Sequence, residues 1–180
     1  MKKFLFYASF AACLLSFTND KNKTAATSIT GTTVKDTVAL PYKASYSSSW
    51  STDVSDADLK MVLMTYKDWA DNNLSGLAAG LADTVAVNFS TGDNVRLPRA
   101  GIMKLFTTYR DSLSSVTIDM QAWHKMYATD KKDGYIVTWY KETDTYKNGK
   151  VDSASYHDIN QVKNGKIVWY SQYKQPLKKK

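Results

Sequence analysis

The sequence predicts an α+β domain in which a cone-shaped, curved antiparallel sheet wraps around helices. Three observations carry that expectation. Helical periodicity runs from Asp56 to about Leu81 and returns after Pro98, whereas four strand segments, the first strictly alternating, fill Val116 to Tyr173. Two Asn-Gly pairs, Asn148-Gly149 and Asn164-Gly165, sit between apolar runs as tight hairpin turns do. The 180 residues are 43% hydrophobic and 13% aromatic, enough for one core plus tails. Helices grouped early and strands grouped late pack as helices on one face of a sheet.

Each element follows in order. Ser55-Asp56-Ala57-Asp58 has the form of a capping box, a Ser cap with an acid three residues on. Leu59, Val62, Leu63, Tyr66, Trp69 and Ala70 then form a helical stripe that ends at Asn72-Asn73. A shorter helix follows, with Leu74, Leu77, Ala78 and Leu81 inward. Gly76 and Gly80 weaken its propensity, so packing must hold it. Val85–Phe89 is a strand and Thr91-Gly92-Asp93-Asn94 a turn. Pro98 opens the next helix, whose buried face carries Ile102, Met103, Leu105, Phe106, Tyr109 and Leu113. Val116 to Ala128 alternates cleanly: the even positions, His124 among them, share an apolar face. Tyr135–Thr143, apolar on both faces, Val151–Val162 and Lys166–Tyr173 complete the strands.

The formal net charge of +7 lies at the ends of the chain. From Tyr42 to Tyr173, fifteen Lys plus Arg balance fifteen Asp plus Glu. A neutral domain with basic ends is not built to grip phosphates, so no nucleic-acid partner is expected. Lys2 and Lys3 before the apolar run Phe4–Phe17 read as a secretory signal, residues 1–17. A flexible tether follows over residues 18–49, then the domain over residues 50–175 and a basic tail over 176–180. Tyr42, Tyr46 and Trp50 are aromatic enough to pack onto the domain or begin it. The protein is therefore expected to be exported, to the periplasm, the cell envelope or the medium. Cys13 is the only cysteine and follows a poor lipobox, Phe10-Ala11-Ala12; membrane attachment is expected only through a lipid on it. The mature domain has no thiol chemistry.

Several residues together resemble the nuclear transport factor 2-like superfamily, in its SnoaL-like branch with the polyketide cyclases and ketosteroid isomerases. They are Tyr66-Lys67-Asp68-Trp69, Leu74-Ser75-Gly76-Leu77, Leu81-Ala82-Asp83-Thr84-Val85, Arg99-Ala100-Gly101-Ile102 and Asn164-Gly165-Lys166-Ile167-Val168. The resemblance spans about Asp56 to Tyr173. It implies a cystatin-like cone of curved sheet around a long helix, often a homodimer through the sheet. Its members include isomerases, cyclases, dehydratases and non-catalytic binders, so it implies fold better than reaction. Ketosteroid isomerases use a carboxylate base, a Tyr and a protonated Asp. Here the base position falls on Phe89 and the helix Tyr on Thr65, next to Tyr66; only the protonated Asp has a counterpart, Asp158.

Candidate site residues are weighed on that frame. His124 is either a general base or a buried structural histidine. Asp158 shares strand parity with Tyr156 and Asn160, and is either an ionisable group in an apolar pocket or part of a polar ladder. His157 points the other way. In the register the resemblance implies, Tyr170 and Gln172 look into the pocket. Tyr66, Trp69, Phe89, Tyr109 and Trp139 (or Tyr140) join them as walls suited to a small apolar or aromatic molecule. No metal site and no cofactor are expected: there are two His and a single Glu, Glu142, and no phosphate loop or nucleophile elbow. The leading reading is an exported binding or accessory domain without catalysis. Two alternatives stand beside it. One is a small cyclase, isomerase or dehydratase using His124 and Asp158, which requires both in one cavity. The other is an envelope interaction module using an exposed face of Trp123 and Tyr127.

Overall fold

A computed structural model of the chain describes residues 39–177. The expected signal segment, residues 18–38 of the expected tether, Cys13 and residues 178–180 lie outside the described residues. Ten elements follow in order: β1 (Trp50–Ser51), α1 (Asp56–Ala70), α2 (Leu74–Gly80), β2 (Leu81–Asn88), β3 (Asn94–Pro98), α3 (Arg99–Arg110), β4 (Leu113–Ala128), β5 (Asp133–Tyr146), β6 (Val151–Lys163) and β7 (Lys166–Pro176).

The strands form one seven-stranded sheet in the order β1-β4-β5-β6-β7-β2-β3. All pairings are antiparallel except β2 with β7, which is parallel. The expected sheet was wholly antiparallel and lacked β1 and β3. Both additions are short edge strands. β3 ends in Pro98, which has no ladder donor and is tolerated at an edge. The attachment of the chain begins before residue 50. Tyr46 Oη donates to Asp133 at 2.6 Å and lies 2.8 Å from Tyr135 Oη, while Tyr42 is exposed.

The helices fold as local chemistry dictates. Ser55 Oγ accepts from Asp58 N at 3.0 Å and donates to its carboxylate at 2.8 Å, closing the N-terminus of α1. At the other end of α1, the buried Arg110 of α3 donates to the carbonyls of Trp69 and Ala70 at 3.2 and 3.3 Å. Those carbonyls have no partner within the helix, and a cation suits that negative end. The weak helix α2 is held by contact: a Cβ on Gly80 would stand 2.5 Å from Thr65 Cγ2, so only glycine permits this approach to α1.

Irregularities in the strands set which residues face the helices. Register shifts fall between Met120 and Ala122 on β4 and between Gln161 and Val162 where β6 meets β7. A bulge bends the strand and reverses its parity beyond the extra residue. Val62, Tyr66, Val85, Ile102, Ile136 and Tyr140 form the centre of the core between the sheet and the helices. The even positions of β5 and β6 point inward throughout.

Candidate functional site

The concave side of the sheet and the three helices enclose a cavity of about 460 Å³. α1 contributes Thr65, Tyr66 and Trp69, and α3 contributes Ile102, Leu105, Phe106 and Tyr109. Val85, Val87 and Phe89 extend the wall along β2, and Tyr140 and Tyr156 across β5 and β6. Tyr140 and Tyr156 stack with ring centres 5.2 Å apart, and Phe89 meets Phe106 edge-on at 6.5 Å. The exposed lining residues Ser90, Thr91, Leu105, Tyr109 and Lys174 mark the open side.

Behind the wall lies a polar cluster centred on Asp158, which has no solvent exposure. Its Oδ2 accepts from Tyr140 at 2.8 Å and from Tyr66 and Tyr170 at 3.0 Å each. Tyr66 Oη also accepts from Asn160 at 3.1 Å and meets Thr138 Oγ1 at 2.8 Å. Gln172 donates to Tyr170 Oη at 2.7 Å and accepts from Ser90 Oγ at 3.1 Å. A directional chain of donors therefore runs from the rim to Asp158. Asp158 Oδ1 has no partner. Burial pushes the Asp158 carboxyl up to about 7 although the three phenols favour its charged form. Burial also holds the phenols of Tyr66, Tyr140 and Tyr170 well above their ordinary value, so they act as donors.

A second polar cluster lies at the wall itself. Glu142 lines the cavity, and Asp144 follows on the same inward face of β5. Burial and then the charge of Asp144 push the Glu142 carboxyl up to about 8; burial raises Asp144 as well. Tyr109 Oη donates to Asp144 Oδ2 at 2.8 Å, while Asp144 Oδ1 is buried without a partner. Lys174 reaches the same region, but its ammonium pairs with Asp152 at 3.1 Å and lies 5.6 Å from the centre of the Tyr156 ring.

By sequence, no family model matches the chain and no curated protein is similar enough to count as a match. Solved structures do resemble it. A nuclear transport factor 2-like protein from Anabaena variabilis is 16% identical over 71% of this chain and 96% of its own, with a TM-score of 0.55. An epoxide hydrolase of M. tuberculosis is 9% identical over 66% of this chain and 83% of its own, at 0.56. A hypothetical protein with a ketosteroid isomerase-like fold from Catenulispora acidiphila, in complex with trimethylamine, is 12% identical over 63% of this chain and 84% of its own, at 0.53. Helices on the concave side of one bent sheet, shared with these structures, decide the matter. The domain has the nuclear transport factor 2-like fold.

Within this nuclear transport factor 2-like cone, Tyr66, Trp69, Phe89, Tyr109, Tyr156, Asn160, Tyr170 and Gln172 line the cavity together. Trp139 does not. Its parity is opposite to that of Tyr140, and it stacks on His157 on the convex face with ring centres 5.0 Å apart. His124 is also misplaced by strict alternation. The bulge after Met120 reverses the face, so His124 pairs with Val137 while Asp158 pairs with Thr138. His124 is exposed on the convex side and cannot share a ligand atom with Asp158. The joint use of His124 and Asp158 in one cavity is thereby excluded. The same bulge carries Trp123 and Tyr127 together to the concave side, where Tyr127 packs against the core and Trp123 stays half exposed, so they do not form the exposed outer face expected of them. Sequence reasoning missed Glu142 and Asp144. Their signal was present, since they share the parity of Ile136, Thr138 and Tyr140, but β5 reads as apolar on both faces.

Proposed function

We propose that this domain binds a small molecule with an apolar or aromatic body inside the cone, without catalysis. The observation that carries the reading is a cavity of about 460 Å³ walled by aliphatic and aromatic side chains with a few convergent polar groups. Phenylalanine stands at position 89, where the resemblance to ketosteroid isomerases would put the base, so that route of proton abstraction has no agent. The test is a thermal-shift screen of the purified protein against small aromatic compounds, since a ligand of the folded state must raise its stability. The expected result is a rise in melting temperature that Val87→Trp, which fills the cavity, abolishes. No shift across the screen would sink the reading.

A second reading, turnover in the same pocket, is favoured by one observation: the Glu142 carboxyl faces the cavity in a proton-holding environment. One solved neighbour being an epoxide hydrolase adds to it. Export is supported by Lys2, Lys3 and the apolar run Phe4–Phe17. Homodimerisation through the convex face is supported by a row of rings across β5, β6 and β7. Trp139, His157 and Tyr173 are direct register partners, and Trp139 and Tyr173 are 38% and 56% exposed.

A further inference from the structure

The cavity wall carries a chemical asymmetry that an apolar ligand alone does not use. Glu142 and Asp144 are 8% and 4% exposed, with their carboxyls in contact on the inward face of β5. Among the described residues neither stands in an ion pair, nor does Asp158 behind them. Of the nearby cations among the described residues, Lys174 is already matched by Asp152, and the Arg110 guanidinium lies 6.0 Å from the centre of the Trp69 ring and donates to backbone carbonyls. Asp144 Oδ1 is buried with no hydrogen-bond partner, and of the two carboxyls it is that of Glu142 that lines the cavity. Rings flank the pair. Trp69 and Tyr109 lie parallel, 6.1 Å between centres and 6° between planes, and Tyr156 closes another side. Among the described residues no third carboxylate, His or Cys joins the pair in a metal-holding group. Ring faces beside unpaired carboxyls favour a compact organic cation over an anion or a metal ion.

We propose that Glu142 and Asp144 form a subsite for a protonated amine at one end of an aromatic or apolar ligand. This rests on the cavity reading and names its ligand class. The amine N–H groups donate to the Glu142 carboxylate and, through it, bias Asp144; the ligand's apolar body lies against Phe106, Phe89 and Val87. The groups facing the pair are Tyr140 and Tyr146 on β5, Asp152, Tyr156 and Asp158 on β6, and Tyr170 and Lys174 on β7. Trp69 faces it from α1 and Tyr109 from α3. Lys174, and Arg110 behind the Trp69 ring, oppose a cation. Because the empty pair retains a proton, amine binding releases one and strengthens as pH rises, levelling off above about pH 8, while an alkylamine stays charged.

The experiment is calorimetric titration of the full chain with 2-phenylethylamine, its neutral analogue propylbenzene and the anion 3-phenylpropionate. The amine is expected to bind at least about tenfold tighter than the hydrocarbon, the lower end for a hydrogen bond to a charged group. Glu142→Gln with Asp144→Asn should erase that preference while propylbenzene still binds. Lys174→Met, which leaves the carboxyls in place, should increase the preference and keeps the test open if the double variant does not fold. Propylbenzene binding with no amine advantage overturns the subsite alone. Binding of none of the three overturns it together with the cavity reading. Tighter binding of the anion would assign the site to Lys174 and overturn the proposal.

Discussion

Asp158→Asn is expected to stabilise this protein more at pH 8 than at pH 5. Asp158 has no solvent exposure, and its pKa is raised from 3.8 to about 7, mainly by burial. The native state therefore holds a proton over a range where the unfolded chain has released it. Stability from this group is fully present below pH 4, falls as pH rises, and is gone above about 7. At about 1.4 kcal/mol per pH unit, a rise of some three units amounts to roughly 4 kcal/mol. Asparagine has the shape of the protonated acid and never ionises. Its carbonyl can accept from Tyr66, Tyr140 and Tyr170, and its amide takes the place of the unpartnered Oδ1. Urea denaturation followed by tryptophan fluorescence, at both pH values, reads the difference. The advantage of the variant over the parent should grow by about 2–3 kcal/mol between pH 5 and pH 8, with an unchanged m-value. Glu142, raised from 4.5 to about 8, leaves a slope of the same sign in parent and variant alike, extending to about pH 8. A parent that is more stable at pH 8 than at pH 5, or a variant that tracks it in parallel, would refute the account of Asp158.

Arg110→Ala should lose about 1–3 kcal/mol in the same denaturation assay, because the half-buried carbonyls of Trp69 and Ala70 and that of Leu113 lose the guanidinium as a donor, Trp69 O keeping only Asn72 N. His124→Ala, on the convex side, should change stability by less than about 0.5 kcal/mol and leave ligand-induced melting shifts intact; a lost shift would place His124 in the site after all. If the proposed convex-face dimer forms, Trp139→Ser combined with Tyr173→Ser should convert it to monomer by light scattering, and a parent that is already monomeric would remove that interface. Gly80→Ala should lower the melting temperature, since its Cβ would meet Thr65 Cγ2 at 2.5 Å; an unchanged value would show that α2 can retreat.

The legible parts of this protein are those fixed by neighbours along the chain. Ser55 and Asp58 announce the start of α1 because a cap is a contact three residues long. Asn164-Gly165 announces the last hairpin because a tight turn needs its positive φ at those two positions. Period-two patterning puts Tyr156, Asp158 and Asn160 on one face of β6, and the cavity and its polar floor inherit that face. The wall residues Tyr66, Trp69 and Tyr109 were likewise readable from helical spacing.

What the sequence could not decide depends on pairing between distant strands. Nothing local marks the extra residue after Met120, yet it sends His124 outward and Trp123 inward; the bulge exists only because β4 must bend while pairing with β5. The choice between Trp139 and Tyr140 has the same origin, since both are large and apolar and only packing against α1 selects one. Edge strands β1 and β3 are too short to signal themselves. The acidic pair on β5 gains its meaning from Trp69 and Tyr109, brought there by two helices, because desolvation is a property of the folded surroundings and not of a residue type.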